Sequence, residues 1–462
     1  MSALLRRTAA LGLCALNLVS TPCSAGQTEE TARQPNVLFI AVDDLNHWVG
    51  HLGRNPQTKT PNIDRLAASG VAFTRAYCNA PACSPSRASV LSGLRPSTMG
   101  VYGNDQDWRR AISEDKLLNT HFSKAGYRVY GAGKIYHGAN EPGGPWDDYF
   151  AGQPGTGPLV MHPSAKDEGV GRIKFYPLAN SDEEMPDYHS VSYAIERLEE
   201  KSDKPFFIAV GLLKPHLPFS VPKKWFDLFP LDSIELPPHR EDDLDDVPPP
   251  GGAMAKPGQD HAAIVESGRW KEAVQAYLAS IAFCDAQIGR LLDALDKSEY
   301  RDNTIVVLWS DNGFSLGEKS LWSKFALWEE PTRIVHVWRV PGVTQPGGVC
   351  ERTVDLLSMY PTLCSLTGIP APAHLEGYDL SQLLINPSAE WKHPAITTHG
   401  PNNHAIRTEG WRYIRYANGD EELYDEISDP LEYTNLAKSE KHADRRAELQ
   451  AMLPAENVPA VP

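Results

Sequence analysis

The chain has 462 residues, with 44 lysines and arginines against 59 aspartates and glutamates, and a formal charge of −15. This acidic balance excludes a general nucleic-acid binder and disfavours a polybasic membrane-surface role, because phosphate groups and anionic lipids attract cations. Hydrophobic residues make up 41% and charged residues 22%, which is typical of a globular protein and excludes wholesale disorder. A chain of this length forms one very large domain or two domains.

The first 25 residues have the order of a secretory signal peptide. Two arginines precede an apolar stretch at residues 9–19, and small residues follow as far as Ala25. The stretch is too short for an ordinary membrane anchor, and no later segment reaches 18 apolar residues. We therefore predict an exported protein, periplasmic or secreted, without a membrane span. Cleavage near Ala25 is favoured over two alternatives, a degenerate twin-arginine signal at Arg6–Arg7 and a lipidation site at Cys23.

Cysteine usage is modest for an exported protein. Without the two cysteines of the signal, the chain keeps Cys78, Cys83, Cys284, Cys350 and Cys364. An odd number leaves at least one cysteine free or chemically committed. A disulfide between Cys350 and Cys364 is possible, but the sequence alone does not settle the pairing.

Strand-length apolar runs alternate with helical segments through most of the chain. Continuous apolar strands between helices are typical of a mostly parallel sheet covered on both faces, an α/β sandwich. In chain order we predict strand Asn36–Val42, helix Asn62–Ser69, a helix that begins near Ser113, strand Tyr127–Tyr130, helix His189–Glu200, strand Phe206–Val210, helix Arg269–Leu295, strand Thr304–Trp309, strand Arg333–Val340 and helix Leu356–Leu366.

Two further segments have patterns of their own. Glu241–Gly258 is acidic and then rich in proline and glycine, so we predict an exposed loop that borders a substrate cleft. Its first residues, Glu241–Asp246, are predicted to be a solvated acidic turn and not a second metal site. From about His374 onward, short segments predict a small antiparallel sheet and a helix near Lys441–Met452. The predicted strands are Ala395–Thr398, Ala405–Thr408, Tyr413–Tyr416 and Glu422–Tyr424.

We accordingly predict three parts: a signal peptide at residues 1–25, a catalytic domain at residues 35–373 and a C-terminal subdomain at residues 374–462. Polar side chains follow four of the predicted strands at once. In open α/β sheets, sites form in the crevice beyond the carboxyl ends of the strands, so these side chains are expected to converge. They are Asp43 and Asp44, Lys134 and His137, Lys214 and His216, and Asp311 and Asn312.

Oxygen ligands that suit a hard cation such as Ca²⁺ or Mg²⁺ follow two of these strands. They are Asp43, Asp44, Asp311 and Asn312. The pair Asp43–Asp44 alone is equally typical of a helix cap or a turn. A second pair at another strand end favours a metal site.

A second group of side chains carries positive charge or protons and would suit a tetrahedral oxyanion. Its members are Arg87, Lys134, His137, His216 and Lys324. Taken alone, Lys324 is typical of a solvated surface lysine. Histidines without such a context are assigned structural roles: His239, His261, His374, His393 and His442.

Residues Cys83–Gly93 read CSPSRASVLSG. This segment resembles the sulfatase signature, C-x-P-S-R followed by a small hydroxyl residue and a glycine. Membership of that family implies that a maturation enzyme converts Cys83 to Cα-formylglycine. A hydrated aldehyde offers one hydroxyl to attack sulfur and a second hydroxyl to expel the sulfate afterwards. The alternative for Cys83 is a buried structural thiol.

The resemblance covers nearly the whole chain after the signal. Its blocks are Pro35–Asp44, Gly131–His137, Lys214–Phe219 and Ser310–Lys324. Their order and spacing are most similar to the iduronate-2-sulfatase branch of the formylglycine-dependent sulfatases, including its bacterial relatives that degrade sulfated polysaccharides. The resemblance implies an alkaline-phosphatase-like fold, a sulfated carbohydrate substrate and the maturation enzyme as partners, and no nucleic acid.

By this resemblance one ion of Ca²⁺ would be bound by Asp43, Asp44, Asp311 and Asn312 together with the modified Cys83. The iduronate-2-sulfatase branch has histidine at the position of Asn312, whereas other sulfatases have asparagine there. The metal site is therefore expected to be intact, while the assignment to the branch is weakened.

The resemblance also implies catalytic roles. Arg87 and Lys134 would hold the formylglycine hydrate and offset negative charge. His137 would take a proton from the second hydroxyl during sulfate release. His216 and Lys324 would grip the sulfate and protonate the leaving alcohol.

The sugar pocket and the substrate are the least determined features. Residues Tyr102, Gly103, Asn104, Asp105 and Trp108 lie where relatives shape the pocket, although an aromatic residue there is equally typical of packing. A phosphoester or phosphonate monoester hydrolase of the same superfamily is the alternative activity. A polysaccharide-binding protein without catalysis is a further alternative, which the complete set of site residues opposes.

Overall fold

A large sheet with helices on both faces organises the protein. The computed structural model describes residues 34–138, 143–152 and 158–462, and the predicted signal peptide lies outside them. The strands, in chain order, are β1 Asn36–Val42, β2 Val71–Tyr77, β3 Arg128–Gly133, β4 Asp148–Phe150, β5 Gly169–Val170, β6 Ile173–Lys174, β7 Phe206–Leu212, β8 Thr304–Ser310, β9 Ser315–Leu316, β10 Trp322–Ser323, β11 Arg333–Ile334, β12 His336–Arg339, β13 Gly348–Asp355, β14 Ala395–Thr398, β15 His404–Arg407, β16 Trp411–Arg415 and β17 Glu421–Asp425.

The α-helices, in chain order, are α1 Pro61–Ala68, α2 Cys83–Ser92, α3 Pro96–Met99, α4 Leu118–Lys124, α5 Pro186–Glu199, α6 Lys223–Phe226, α7 Pro249–Ala255, α8 Asp260–Ser267, α9 Trp270–Lys297, α10 Glu329–Thr332, α11 Met359–Thr367, α12 Ser381–Ile385 and α13 Ala443–Gln450. Short 3-10 turns lie at Gly50–Leu52, Trp108–Arg110, Glu114–Lys116, Asp182–Glu184, Leu231–Ser233, Arg301–Asn303, Glu318–Ser320, Leu356–Ser358 and Glu440–His442.

The large sheet has the order β11-β2-β12-β8-β1-β7-β3-β4, and β13, which is outside this order, also pairs with β2. Strands β8, β1, β7, β3 and β4 are parallel, and β13 is parallel to β2. Strands β11 and β12 run antiparallel to their neighbours. The sheet is therefore mostly parallel, as the apolar runs predict, and the predicted α/β sandwich is confirmed.

Two apolar cores lie against the two faces of this sheet. Alternate residues of β1 enter opposite cores: Leu38 and Ile40 pack with α1, α5 and α9, whereas Val37 and Phe39 pack with α2, α4 and α11. This is the alternation that a pleated strand imposes, and burial on both faces explains why β1 is apolar throughout.

A small antiparallel sheet of β14, β15, β16 and β17 follows near the end of the chain, as predicted. Arg412 of β16 is fully buried and pairs with Glu426, Glu432 and Glu329. Because Glu329 belongs to α10, this ion-pair network joins the small sheet to the segment that precedes β11. Residues Gln34–Pro462 form one compact unit, and the division at residue 373 stays a prediction.

Several boundaries differ from the prediction for local reasons. The predicted strand Arg333–Val340 is wrong as a single element, because β11 and β12 pair with opposite ends of β2 and the carbonyl of Val335 between them accepts the Ser310 N–H. The helix predicted near Ser113 begins only at Leu118, after a 3-10 turn and an extended residue. Strands β2 and β13 were missed.

The predicted exposed loop Glu241–Gly258 contains a helix, α7, which begins at Pro249 where proline fits the first helical position. The acidic turn within it is only partly solvated, because Asp243 is buried and accepts a hydrogen bond from Lys319 at 2.8 Å. The five cysteines of the described residues are free, so the possible bond between Cys350 and Cys364 is not formed. Among the same residues, no helix is both long and apolar enough to span a membrane.

The buried histidine of β12 makes the stability of the fold sensitive to acid. Burial lowers the pKa of His336 to about 3, and its Nε2 accepts a hydrogen bond from Trp338 at 2.7 Å. Below about pH 6.5 the unfolded chain takes up a proton that the folded protein does not bind, so the free energy of unfolding falls as the pH falls. We expect His336→Phe to remove about 2 kcal/mol of the loss between pH 7 and pH 5.

Urea denaturation at pH 5, 6 and 7 would measure this difference, with His162→Gln at a surface turn as the control. An unchanged pH dependence in His336→Phe would contradict the assignment.

Candidate active site

The strand register brings the predicted polar residues to one edge of the sheet. The last pairs of β1 are Val42 with Ser310 of β8 and Val42 with Leu212 of β7, while Gly133 of β3 lies opposite Gly211. The residues that follow these strands therefore leave the sheet side by side. The ends of these four strands therefore lie together, as predicted.

Three carboxylates at this edge are buried together. Asp43 accepts hydrogen bonds from Lys134 at 2.5 Å and from Arg87 at 3.4 Å. Asp311 accepts one from Arg87 at 2.7 Å. Burial opposes ionisation of Asp43, but the charges of Lys134, His216 and Arg87 outweigh it and hold the pKa of Asp43 well below its usual range. Burial raises the pKa of Asp311 in spite of the nearby Arg87.

The third carboxylate, Asp44, is aimed by an unusual backbone conformation. Its φ is 59°, in the left-handed region that residues other than glycine seldom adopt. Its N–H donates to Asp311 at 3.1 Å, and its carbonyl accepts from Tyr277 at 2.7 Å. Its carboxylate accepts from Asn312 at 2.8 Å and from Lys324. Hydrogen bonds from both sides thus hold a strained residue at the site, as is typical of functional positions.

Cys83 is the first residue of α2 and is fully buried among these charges. Its Sγ lies 3.3 Å from Oδ1 of Asp43 and 2.7 Å from Nζ of Lys324. Burial and the negative charge of Asp43 raise the pKa of the thiol well above its ordinary value. Reactive cysteines have the opposite environment, in which the thiolate is favoured. The unmodified thiol is therefore a poor nucleophile.

The donor set fits a hard divalent cation. Ligand atoms of Asp43, Asp44, Cys83 and Asp311 all lie within 4.8 Å of one another. Oδ1 of Asn312 is buried beside them and has no hydrogen-bond partner. A cluster of carboxylate oxygens with a free amide oxygen is the ligand chemistry that Ca²⁺ prefers.

The remaining predicted residues surround this cluster. Lys324 is buried and contacts Asp44 and Cys83, so its interpretation as a solvated lysine is wrong. His216 places Nε2 3.8 Å from Oδ2 of Asp44. His137 is half-buried, and burial together with the charge of Lys134 lowers its pKa to about 4, which leaves it neutral near pH 7.

Asp187, which the sequence does not mark, and Lys214, which was expected to join the site, instead hold the loop that carries His216. The carboxylate of Asp187 accepts the backbone N–H groups of Leu213 and Lys214 at 2.8 and 2.9 Å. Nζ of Lys214 donates to the carbonyl of Pro218 at 2.5 Å. Asp187 belongs to α5, so this helix positions the loop after β7.

The predicted sugar-pocket residues mainly have packing roles. The hydroxyl of Tyr102 donates to the carbonyl of Val458 at 2.7 Å, and buried Trp108 stacks on Tyr136 with ring centroids 5.0 Å apart. Asn104 is closer to the site, since its side chain accepts the N–H of Ser84 at 2.9 Å.

A cavity of about 380 Å³ opens beside Lys324 and was not identified from the sequence. The one sequence-based indication of this cavity is the prediction that Glu241–Gly258 borders a cleft. His261, predicted to be structural, is one of its lining residues. Its walls include Arg172, Lys256, Asp260, Phe325 and His399.

The family model for sulfatases matches residues 35–369. The chain belongs to the sulfatase family. A second model, described as N-sulphoglucosamine sulphohydrolase, C-terminal, matches residues 317–458. The protein is therefore an enzyme of the sulfatase class, as the sequence predicts.

Relatives of this sulfatase match over most of its length. A protein named sulfatase from Formosa agariphila is 41% identical over 97% of this chain and 91% of its own. Human iduronate 2-sulfatase is 31% identical over 78% of this chain and 75% of its own.

Solved structures share the fold of this sulfatase. A protein in complex with its substrate D-glucosamine-2-N,6-O-disulfate superposes with a TM-score of 0.73 at 22% identity, over 91% of this chain and 97% of its own. The phosphonate monoester hydrolase of Agrobacterium radiobacter gives a TM-score of 0.74 at 24% identity, over 90% and 96% of the two chains. At these identities the likeness concerns the fold alone, and it supports the predicted fold class.

Calcium should stabilise the folded sulfatase if the acidic cluster binds it. A ligand that binds only the folded state at 100 times its Kd adds about 2.7 kcal/mol to the free energy of unfolding. We expect Ca²⁺ to raise Tm and a chelator to lower it. The variant Asp44→Asn, which tolerates the left-handed backbone but lacks the charge, should lose most of the shift.

Calorimetry of both proteins with Ca²⁺ and with a chelator would test this, with exposed Asp232→Asn as the matched control. A wild-type Tm that does not respond to Ca²⁺ would show that the cluster does not hold the ion.

Proposed function

We propose that this sulfatase hydrolyses O-sulfate esters of carbohydrates, using Ca²⁺ and a formylglycine made from Cys83. The observation that carries the proposal is the position of Cys83. It is the first residue of a helix, beside Asp43 and Lys324, at the centre of a buried cluster of oxygen ligands and cations. A helix N-terminus and fixed cations both favour negative charge at that point.

The implied groups would supply charge and a nucleophile. Bound Ca²⁺, held by Asp43, Asp44, Asp311, Asn312 and the modified residue 83, would act as a Lewis acid toward a sulfuryl oxygen. The hydrated aldehyde would offer two hydroxyls, one for attack and one for release of sulfate.

Around those groups, the cations of the chain have fixed places. Arg87 is fully buried, donates Nε to Asp311 at 2.7 Å and contacts the carbonyl of Lys134. Lys134 lies 2.5 Å from Asp43. Because their partners hold them before substrate arrives, Arg87 and Lys134 can stabilise negative charge at the sulfuryl group without reorganising.

Two histidines would transfer protons in different steps of the reaction. His137 is neutral near pH 7, so it can accept a proton from a hydroxyl at residue 83. His216 donates a hydrogen bond from Nδ1 to the carbonyl of Leu217 at 2.5 Å, which fixes its ring. Lys324 lies close to Asp44. Together, His216 and Lys324 would bind the sulfate and protonate the departing sugar oxygen.

A sulfated carbohydrate is the substrate that the comparisons favour. Among curated relatives of similar length are an iduronate 2-sulfatase and an ulvan-active sulfatase, at 31% and 27% identity. Export of the protein, maturation by a formylglycine-generating enzyme and a place in the degradation of sulfated polysaccharides belong to the same proposal. The iduronate-2-sulfatase-like assignment rests on sequence blocks and these relatives. A phosphonate or phosphate monoester is the alternative substrate, because a phosphonate monoester hydrolase shares the fold.

Sulfate release from defined substrates should establish the activity. We expect matured protein with Ca²⁺ to release sulfate from at least one sulfated glycosaminoglycan or algal oligosaccharide, and Cys83→Ala to be inactive. Mass analysis of the Cys83 peptide confirms conversion, and aryl sulfate should give a higher kcat/KM than aryl phosphate. With conversion confirmed, a preference for the phosphate or phosphonate ester would overturn the proposal.

Substrates with different leaving groups should separate the roles of His137 and His216. We expect His137→Ala to lower kcat by about 100-fold or more for both aryl and sugar sulfates, because removal of a general base affects sulfate release from residue 83. His216→Ala should slow the sugar sulfate far more than the aryl sulfate, since a phenolate leaves without protonation.

Steady-state kinetics on the two substrates would measure this, with His442→Ala, which packs on Trp411, as the control. Equal losses on both substrates in His216→Ala would remove His216 from the role of acid.

A further inference from the structure

Two adjoining cavities, together called the cleft, lie beside the proposed sulfate site. The cavity of about 380 Å³ beside Lys324 adjoins a second cavity of about 370 Å³. The two cavities share four lining residues, Met254, Lys256, Phe325 and His399. Each volume lies in the range of small-molecule sites, so the cleft has room for more than one sugar unit.

The charges of the first cavity are not balanced. Its one acidic lining residue, Asp260, is buried and pairs with Arg172 at 2.5 Å. Lys324 contacts Asp44 and Cys83. Among the described residues, no carboxylate lies within ion-pair distance of Lys256, although the protein as a whole carries a charge of −15. An uncompensated cation therefore stands on the wall that both cavities share.

His399 adds an unsatisfied polar group to the same wall. Its Nδ1 is buried and has no hydrogen-bond partner, which is costly unless a ligand or water supplies one. Burial and the charge of Lys256 lower its pKa to about 4, so the ring is neutral. Its ring lies 6.0 Å from that of Phe325, which exposes 37% of its surface.

Two of the four shared residues have strained backbones. Lys256 has φ of 51° and Phe325 has φ of 73°, and a bulky residue in this region is an outlier. Lys256 ends α7, donating its N–H to the carbonyl of Gly252 at 3.1 Å, at a position where glycine is the usual residue. Retention of strained side chains on one wall indicates that their chemistry is used.

We propose that this cleft binds an oligosaccharide with a second anionic group besides the sulfate ester that is cleaved, and that Lys256 pairs with this second anion. His399 gives a hydrogen bond to the same sugar unit, and the exposed face of Phe325 packs on a sugar ring. Lys256 is thus a specificity-determining residue. The inference rests on the proposed function and narrows its substrate class. The second anion is a carboxylate or a sulfate, and both have the same requirement for a cation.

Four sulfate esters test the role of Lys256, and the first two are matched in their scissile group. The set comprises a hexosamine 6-O-sulfate, the same sugar with an added N-sulfate, a 2-O-sulfated uronate and aryl sulfate. We expect Lys256→Asn to lower kcat/KM for a preferred two-anion sugar by about 10- to 100-fold, the range for a hydrogen bond to a charged group. The loss should be mainly in KM and should shrink as salt increases. The one-anion sugar and aryl sulfate should change by no more than about twofold.

The choice of variants separates charge from backbone strain. Asparagine tolerates the left-handed conformation, so Lys256→Asn removes the cation without adding strain, and Lys256→Arg should restore most of the activity. Exposed Lys201 lies before β7, at the opposite edge of the sheet, and Lys201→Asn controls for loss of surface charge. Comparison of the N-sulfated hexosamine with the sulfated uronate shows whether the second anion is a sulfate or a carboxylate.

A binding measurement keeps this inference distinct from the proposed function. Calorimetric titration of Cys83→Ala with the same sugars should show about 10-fold or greater weakening of the two-anion sugar by Lys256→Asn. Equal losses on one-anion and two-anion sugars, or no loss, would overturn the role of Lys256 while sulfate release stands. If no sulfate ester is hydrolysed by converted protein, the proposed function and this inference both fail.

Discussion

The site depends on the neutralisation of three buried carboxylates. Asp43, Asp44 and Asp311 are each almost completely buried, and an unpaired carboxylate there would be strongly destabilising. The compensating cations come from three different parts of the chain: Arg87 from α2, Lys134 from the end of β3 and Lys324 from the segment after β10. Each ion pair fixes one element against the sheet edge, so charge balance and catalytic geometry have the same structural cause. Removal of one cation would therefore affect the position of the others.

The sheet makes such a concentration of charge possible. Strand β1 is apolar on both faces because it lies between two cores, and Asp43 follows its last residue directly. Only the strand ends are free of that apolar packing, so the chain can change from buried hydrophobic residues to buried charges within one residue. Tyr277 of α9 donates a hydrogen bond to the carbonyl of Asp44, and Asp187 of α5 accepts one from the loop after β7. Both helices pack in the core that contains Leu38 and Ile40. These helices thus support the fold and orient the polar residues.

Sequence reasoning identified the elements whose signal is local. Strand Asn36–Val42 has the predicted bounds, and the four strands that precede the predicted polar residues end side by side because they are parallel. Lys214 is the exception among those residues, since its side chain bonds within its own loop. Sequence reasoning failed where long-range contacts decide. The residues around Lys324 are typical of a surface lysine, so only the family resemblance assigned it to the site where the fold buries it against Asp44. Likewise, Lys256 and His399 are 143 positions apart in the sequence, and no periodicity or motif in either segment predicts that they line the same cavity. Strands β2 and β13 were missed because their polar residues interrupt the apolar pattern.

An acidic enzyme with an acidic substrate needs its cations in the right place more than in large number. At physiological ionic strength, exposed charges act over about 8 Å, so the distant carboxylates that give the net charge of −15 have little influence inside the cleft. Buried Arg87, Lys134 and Lys324 are screened much less but are paired with carboxylates, whereas Lys256 on the cleft wall has no such partner among the described residues. A substrate with one anion meets only the inner cations, whereas a substrate with two meets both sets. Under the proposed binding mode, the spacing of these cations, and not the overall charge, would therefore select the substrate, because the low-dielectric walls of a cleft focus the local field.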